Sequence, residues 1–216
     1  MQAYNNNPQF REQVLQEIKR HEELDAFIKG TYGDGESGTF KGCAIGCTVH
    51  SLNLVNKTNF SFNSHESVAE ALSVDVELCY LVDHVFENIA TERRRTFTYQ
   101  VWSSIATGVN TADVARKVKI WILEYTLQGL ENNTYEAIDD VFSAVLGVIT
   151  ALKTGENLAA ARATAIAAAA WAAWAATATT ATATATTATR AATTTTRADF
   201  YTELEQVLIQ ELRDCK

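Results

Sequence analysis

Two cysteines and a histidine fall within eight residues in the stretch KGCAIGCTVH, residues 41–50. Thiolate sulfur and imidazole nitrogen are good zinc ligands, and a thiol beside a base can be a nucleophile. At about 100° per residue, Cys43, Cys47 and His50 span about 60° of a helix, a single stripe that could present three donors together. The array lacks the second Cys-x2-Cys or His-x3-His half of a familiar zinc motif. A fourth donor would come from His21, His65, Cys79 or His84, and spacing selects none of them.

Nucleophilic catalysis needs a different arrangement. Cys43 follows a glycine-rich loop at an expected helix N-terminus, where the helix dipole lowers a thiol pKa. His50 lies two turns further along, too far for a direct hydrogen bond along the helix, so a base for Cys43 would have to come from elsewhere. The candidate catalytic residues are therefore Cys43 and His50. The candidate metal ligands are Cys43, Cys47 and His50; no cofactor is expected on the core-helix reading below, and zinc is the one these residues could hold. A second constellation is Asp83 and Glu87, one helical turn apart beside His84. Such a pair can hold a metal or do acid–base work, but on an amphipathic helix it is expected to face solvent.

A simpler reading competes with all of these. Ile45, Val49 and Leu52 lie opposite the cysteine stripe, and a helix apolar on both sides is buried on both sides. Gly42 and Gly46 would then admit close neighbours, and the cysteines would act as small hydrophobes in a central core helix. The residue pattern favours this reading.

The elements that must position these residues are helices. Proline occurs once, and five of the ten glycines (Gly30, Gly33, Gly35, Gly38 and Gly42) crowd into one loop, which leaves too few turn residues for an all-β protein. Pro8 suits a first helical turn, with Val14, Leu15 and Ile18 on one face, continued by Leu24, Phe27 and Ile28 to a stop at Gly30. Further stripes run through Leu81, Val82, Val85, Phe86 and Ile89; through Val101, Trp102 and Ile105; and through Val114, Val118, Trp121, Ile122 and Tyr125, with Thr111 as N-cap. Another runs from Ile138 to Ile149, started by the Asn132-Asn133-Thr134 stretch, and a last one joins Leu204, Val207, Leu208 and Leu212. The expectation is an all-α fold: a compact helical bundle over residues 1–155, then an Ala/Thr-rich helical arm and closing helix over 156–216.

From Ala163 to Thr189 the arm carries no charge. Its length suits a membrane span, but alanine and threonine do not drive insertion, so no membrane association is expected. Alanine favours helix, and Trp171 and Trp174 share a face. A long face of small side chains buries little by itself, which points to self-association through residues 156–196. The net charge of −8 disfavours nucleic acid as a partner, and the basic run Arg93-Arg94-Arg95 is expected to be a solvated face. The N-terminal stretch has no basic-then-apolar signal pattern, and four cysteines are too few for a disulfide scaffold, so the expected setting is cytoplasmic with reduced thiols.

Three landmarks in order, GTYGDGESGTFKGCAIGCTVHS at 30–51, LVDHVFENI at 81–89 and AAAAWAAWAA before a closing helix, together resemble an uncharacterised family of bacterial and phage-borne proteins. A GTY loop, a Gly-Cys-x-x-Gly-Cys-x-x-His segment and an Ala-, Arg- and Trp-rich C-terminal helix recur in that family. The matching residues are Tyr32, Gly42, Cys43, Gly46, Cys47, His50, Asp83, Phe86 and Glu87. The resemblance implies no activity, and the arm departs from it by carrying threonine where charges are the rule. The expected function is a self-associating or interaction protein; the alternative is a metal-binding or cysteine-dependent protein using the Cys43/Cys47/His50 face. If the arm self-associates, light scattering gives a species heavier than the 23.7 kDa chain. That species shrinks when Trp171 and Trp174 are both changed to Ala, and a clean monomer in the unaltered chain sinks the idea.

Overall fold

A computed structural model describes residues 1–34, 39–130, 138–155 and 186–215 of the chain. The fold is all-α. Its helices are α1 (Pro8–Glu23), α2 (Ala44–Asn56), α3 (His65–Leu72), α4 (Val76–Asn88), α5 (Thr91–Ser104), α6 (Val114–Leu130), α7 (Ile138–Thr154) and α8 (Thr186–Arg213). Among the described residues, strand-like pairing is limited to two isolated bridges, Phe27 with Gly42 and Asp34 with Lys41. No helix among them is long and apolar enough to cross a membrane.

Side-chain chemistry marks the helix starts. Asn7 caps α1 by accepting from the Phe10 N–H at 3.0 Å, and Pro8 takes the first position, where a missing N–H costs nothing. Ser64 caps α3 through the Ser67 N–H, and Asp75 caps α4 through the Glu77 N–H. The hydroxyl of Thr111 accepts from the N–H of Asp75 at the start of α4, while its carbonyl accepts from the Val114 N–H at the start of α6. Asn132-Asn133-Thr134 lies outside the described residues, as do Trp171, Trp174 and the arm from 156 to 185.

Helix α1 stops earlier than its apolar pattern suggests. It ends at Glu23, Leu24 is 56% exposed, and Asp25 takes a left-handed φ of 51°. The chain then turns back so that Ile28 N–H donates to Gly42 O at 2.9 Å and Gly42 N–H to Ala26 O at 3.0 Å. Backbone pairing with Gly42 wins over one more helical turn.

The chain divides into two compact units: residues 1–115 with 195–216, and residues 116–194. The closing segment therefore belongs with the N-terminal residues rather than with the arm. Leu204, Leu208 and Leu212 of α8 are buried, and Arg93 of α5 holds the buried Glu205 at 2.6 Å. Tyr201 and His84 meet at 3.1 Å, and Arg197 donates to Asn88 at 2.7 Å. Arg94 donates to the carbonyls of Phe86 and Ile89 at the end of α4. Two of the three arginines expected on a solvated face are thus structural. In the second unit Ile120, Leu127 and Ile149 form a core, flanked by Leu123, Val145 and Leu152.

The centre of the first unit is α2. Every residue from Ala44 to Leu52 is buried, as a helix apolar on two sides requires. Its polar side chains turn inward on backbone: Thr48 donates to Ala44 O, Ser51 to Cys47 O, and the Trp102 indole donates to Thr48 Oγ1 at 2.9 Å. Gly42 and Gly46 admit the backbone of Tyr32, whose carbonyl occupies the space a Cβ would need at either position. Gly46→Ala should therefore cost about 3 kcal/mol or more in chemical denaturation, because the obstacle is backbone. Gly147→Ala, with open space around it in α7, should stabilise by about 0.5–1 kcal/mol. Equal effects at the two sites would refute the close approach.

Candidate functional site

The three residues of the expected stripe do not act as one set. Cys47 Sγ is turned onto backbone, 3.4 Å from Gly42 O and 3.8 Å from Ala26 O. His50 Nδ1 meets His21 Nε2 at 3.1 Å, and its ring stacks on Phe40 at 4.3 Å. Cys43 stands at the other end of the helix, beside α4. There Cys43 Sγ and one oxygen each from Asp83 and Glu87 all lie within 4.8 Å of one another.

Local sequence explains the assembly. Cys43 is the N-cap of α2, with an extended backbone, and its sulfur accepts from the Gly46 N–H at 3.5 Å. Its own N–H donates to Thr31 O at 2.8 Å, which ties the loop to the helix start. On α4, Leu78, Val82, Val85 and Phe86 form the buried face, and Asp83 and Glu87 flank it. The two carboxylates share a face, as their spacing predicts, but they are half-buried and turned to Cys43 rather than to open solvent.

The neighbours complete a polar cluster. His65, buried at the start of α3, places Nε2 3.1 Å from Asp83 Oδ2. The Tyr32 hydroxyl donates to the same oxygen at 3.4 Å, and the tyrosine ring meets His65 edge-on at 5.9 Å. Asp83 Oδ1 is buried without an N–H or O–H donor, and the Cys43 thiol hydrogen-bonds to the Asp83 carboxylate. Glu87 accepts from the Gly30 N–H through both oxygens, each at 3.2 Å. Tyr80 stacks on the far side of His65 at 4.3 Å and donates to Glu66 at 2.6 Å, fixing the imidazole plane.

Burial decides the state of the thiol. It pushes Cys43 up to about 12; the Gly46 N–H opposes the rise and the charge of Asp83 adds to it. The expected lowering by the helix dipole is therefore reversed, and at neutral pH Cys43 is a thiol. The carboxylates around it accept hydrogen bonds and stabilise cations; they do not stabilise a thiolate or an oxyanion. Burial likewise raises the Cys47 and Cys79 thiols. Residue type makes His65 one of four possible fourth donors, and Tyr32 stands out only as part of the GTY loop; spacing selects neither for this cluster.

Compared with known protein families, curated proteins and solved structures, the chain matches none of them.

The His21–His50 pair is a second buried polar feature. Placing the shared proton on His21 Nε2 leaves His21 Nδ1, which has no partner, as a bare lone pair rather than an unpaired N–H. Burial lowers His21 to about 4, with His50 and Arg20 adding to the shift. His50 is lowered as well, by burial first, with Arg20 adding to the shift and Glu17 opposing it. Both rings are thus neutral in the fold and take up protons on unfolding below about 6.5. Their contribution is intact above that pH and is lost as pH falls from about 6.5 towards about 4. Denaturation at pH 7 and pH 5 should show a loss of about 2 kcal/mol attributable to His21. His21→Gln should flatten that dependence, and an unchanged slope would contradict the assignment.

Proposed function

We propose that Cys43, Asp83 and Glu87 bind a divalent metal ion, zinc by preference, and that the protein works through this centre. The observation that carries the reading is the mutual approach of one sulfur and two carboxylate oxygens from separate parts of the chain to within 4.8 Å. Ligands of a tetrahedral zinc ion lie roughly 3.3–3.8 Å apart, a contraction within reach of small side-chain rotations. Sulfur favours zinc over magnesium or calcium, and carboxylate oxygen is also a common zinc ligand.

Electrostatics support the same reading. Asp83 Oδ1 is buried with no N–H or O–H donor and faces the Cys43 thiol, a place a cation can occupy once that thiol gives up its proton. His65 on Asp83 Oδ2 supplies the outer hydrogen bond that orients a metal-ligating side chain. Catalysis by Cys43 as a free nucleophile is the poorer account, because its thiol is protonated and its nearest charged neighbours are anions.

Metal binding must displace the Cys43 proton. Affinity for zinc should therefore rise about tenfold per pH unit over roughly pH 6–8, with about one proton released per ion in calorimetry. Elemental analysis of the loaded chain should find one metal per chain. Cys43→Ser and Asp83→Asn should abolish stoichiometric loading, His65→Gln should weaken it about 10–100-fold, and Cys47→Ser should leave it intact. Stoichiometric zinc that persists in Cys43→Ser and disappears in Cys47→Ser would refute this centre.

A further inference from the structure

We infer that the groove between the N-terminal turn, the end of α2 and the end of α3 binds an uncharged saccharide. The groove encloses about 320 Å³ and shares no residue with the Cys43 cluster, so the inference is independent of the metal reading. Small-molecule sites begin at about 300 Å³ and combine apolar walls with a few placed polar groups.

The apolar walls are two half-buried rings, Phe10 of α1 and Phe60 of the loop after α2. Both are held by asparagine side chains. Asn53 takes both backbone groups of Phe60, accepting from its N–H at 2.8 Å and donating to its carbonyl at 3.0 Å. Asn7 accepts from the Phe10 N–H at 3.0 Å, and the Phe10 ring meets Tyr4 edge-on at 6.5 Å. Flat rings of this kind suit a pyranose, whose C–H face is apolar while its rim is polar.

The polar groups are amides. Their partners fix which end of two of them a ligand meets. Asn5 Nδ2 donates to Ala71 O at 3.0 Å, which leaves Asn5 Oδ1 as an acceptor. Asn7 Oδ1 is the cap of α1, which leaves Asn7 Nδ2 as a donor. Asn56, the last residue of α2, lines the same groove and brings both kinds. A sugar hydroxyl both gives and takes a hydrogen bond, so neighbouring hydroxyls match a set that mixes donors and acceptors. The Glu70 carboxylate adds acceptor oxygens, and with a net charge of −8 it disfavours acidic sugars.

The turn that presents Asn5 and Asn7 is strained and firmly held. Tyr4, Asn5 and Asn6 take φ values of 56°, 53° and 54°. Asparagine tolerates this region, but tyrosine rarely enters it. Tyr4 is fully buried, with its hydroxyl donating to Trp102 O at 2.6 Å. Ala3 N–H donates to Val109 O, and Ala3 O accepts from Gly108 N–H. Groups fixed in this way lose little freedom when a ligand arrives.

The test titrates the full chain with cellobiose, with N,N′-diacetylchitobiose and, as the acidic counterpart, with glucuronate. The readout is the side-chain amide resonances of asparagine. At least one neutral disaccharide should move the signals of Asn5, Asn7 and Asn56, with a Kd in the millimolar range or tighter. Asn56→Ala and Glu70→Gln, both at exposed positions where folding is preserved, should each weaken binding about tenfold. Gln13→Ala, outside the groove, should leave it unchanged. No movement with either disaccharide overturns the proposal. Movement that Asn56→Ala and Glu70→Gln leave unaltered overturns the site, and glucuronate bound as tightly as the neutral sugars overturns the ligand class.

Discussion

The contact on which the rest depends is the seating of the Tyr32 backbone against Gly42 and Gly46. A carbonyl lies where side chains would otherwise stand, and only glycine at both positions permits it. With the loop seated there, the Cys43 N–H reaches Thr31 O, the Gly30 N–H reaches Glu87, and the Tyr32 hydroxyl reaches Asp83. Three of the polar contacts around the thiol–carboxylate cluster are thus consequences of one steric fit. The same fit explains how a helix buried on every side can begin beside a loop that must satisfy its own backbone.

Magnitudes settle the character of Cys43. A helix N-terminus stabilises a negative charge by about 0.3–1 kcal/mol, rising to about 2 kcal/mol in partly buried geometries. A thiol raised from 9.0 to about 12 reflects an opposing effect of roughly 4 kcal/mol. Desolvation therefore outweighs the dipole, and the position that would activate an exposed cysteine instead stores a proton. A cation reverses that balance, because it supplies the positive charge that the surroundings of the sulfur lack.

Much of the architecture was legible in the residues. The scarcity of proline and glycine, and the apolar spacing of Val14–Ile18, Leu81–Ile89 and Leu204–Leu212, encode helices because a helix needs one buried face. The two-sided apolar pattern of Ile45–Leu52 encodes a central helix. What was not legible is which helices face each other. Asp83 and Glu87 advertise a shared face, but their approach to Cys43 depends on how α4 packs against the start of α2, a long-range fact with no local trace. The cysteine–histidine stripe was geometrically sound and yet divided, because a buried helix meets different neighbours at each end: α4 and the Tyr32 loop at Cys43, α1 and Phe40 at His50. The return of residues 195–216 was hidden for the same reason. The apolar stripe of α8 shows that a partner is needed without saying which one.

That return has a consequence for how the chain comes to be folded. Residues 116–194 are an excursion between two parts of a single unit. As the polypeptide leaves the ribosome, Arg93, His84 and Asn88 emerge long before Glu205, Tyr201 and Arg197, the groups that will satisfy them. The nascent unit must wait, with the surface meant for Leu204 and Leu208 uncovered, until residues 197–212 have been added. The entropy of closing so long a detour grows only logarithmically with its length, so the delay is a matter of timing more than of free energy.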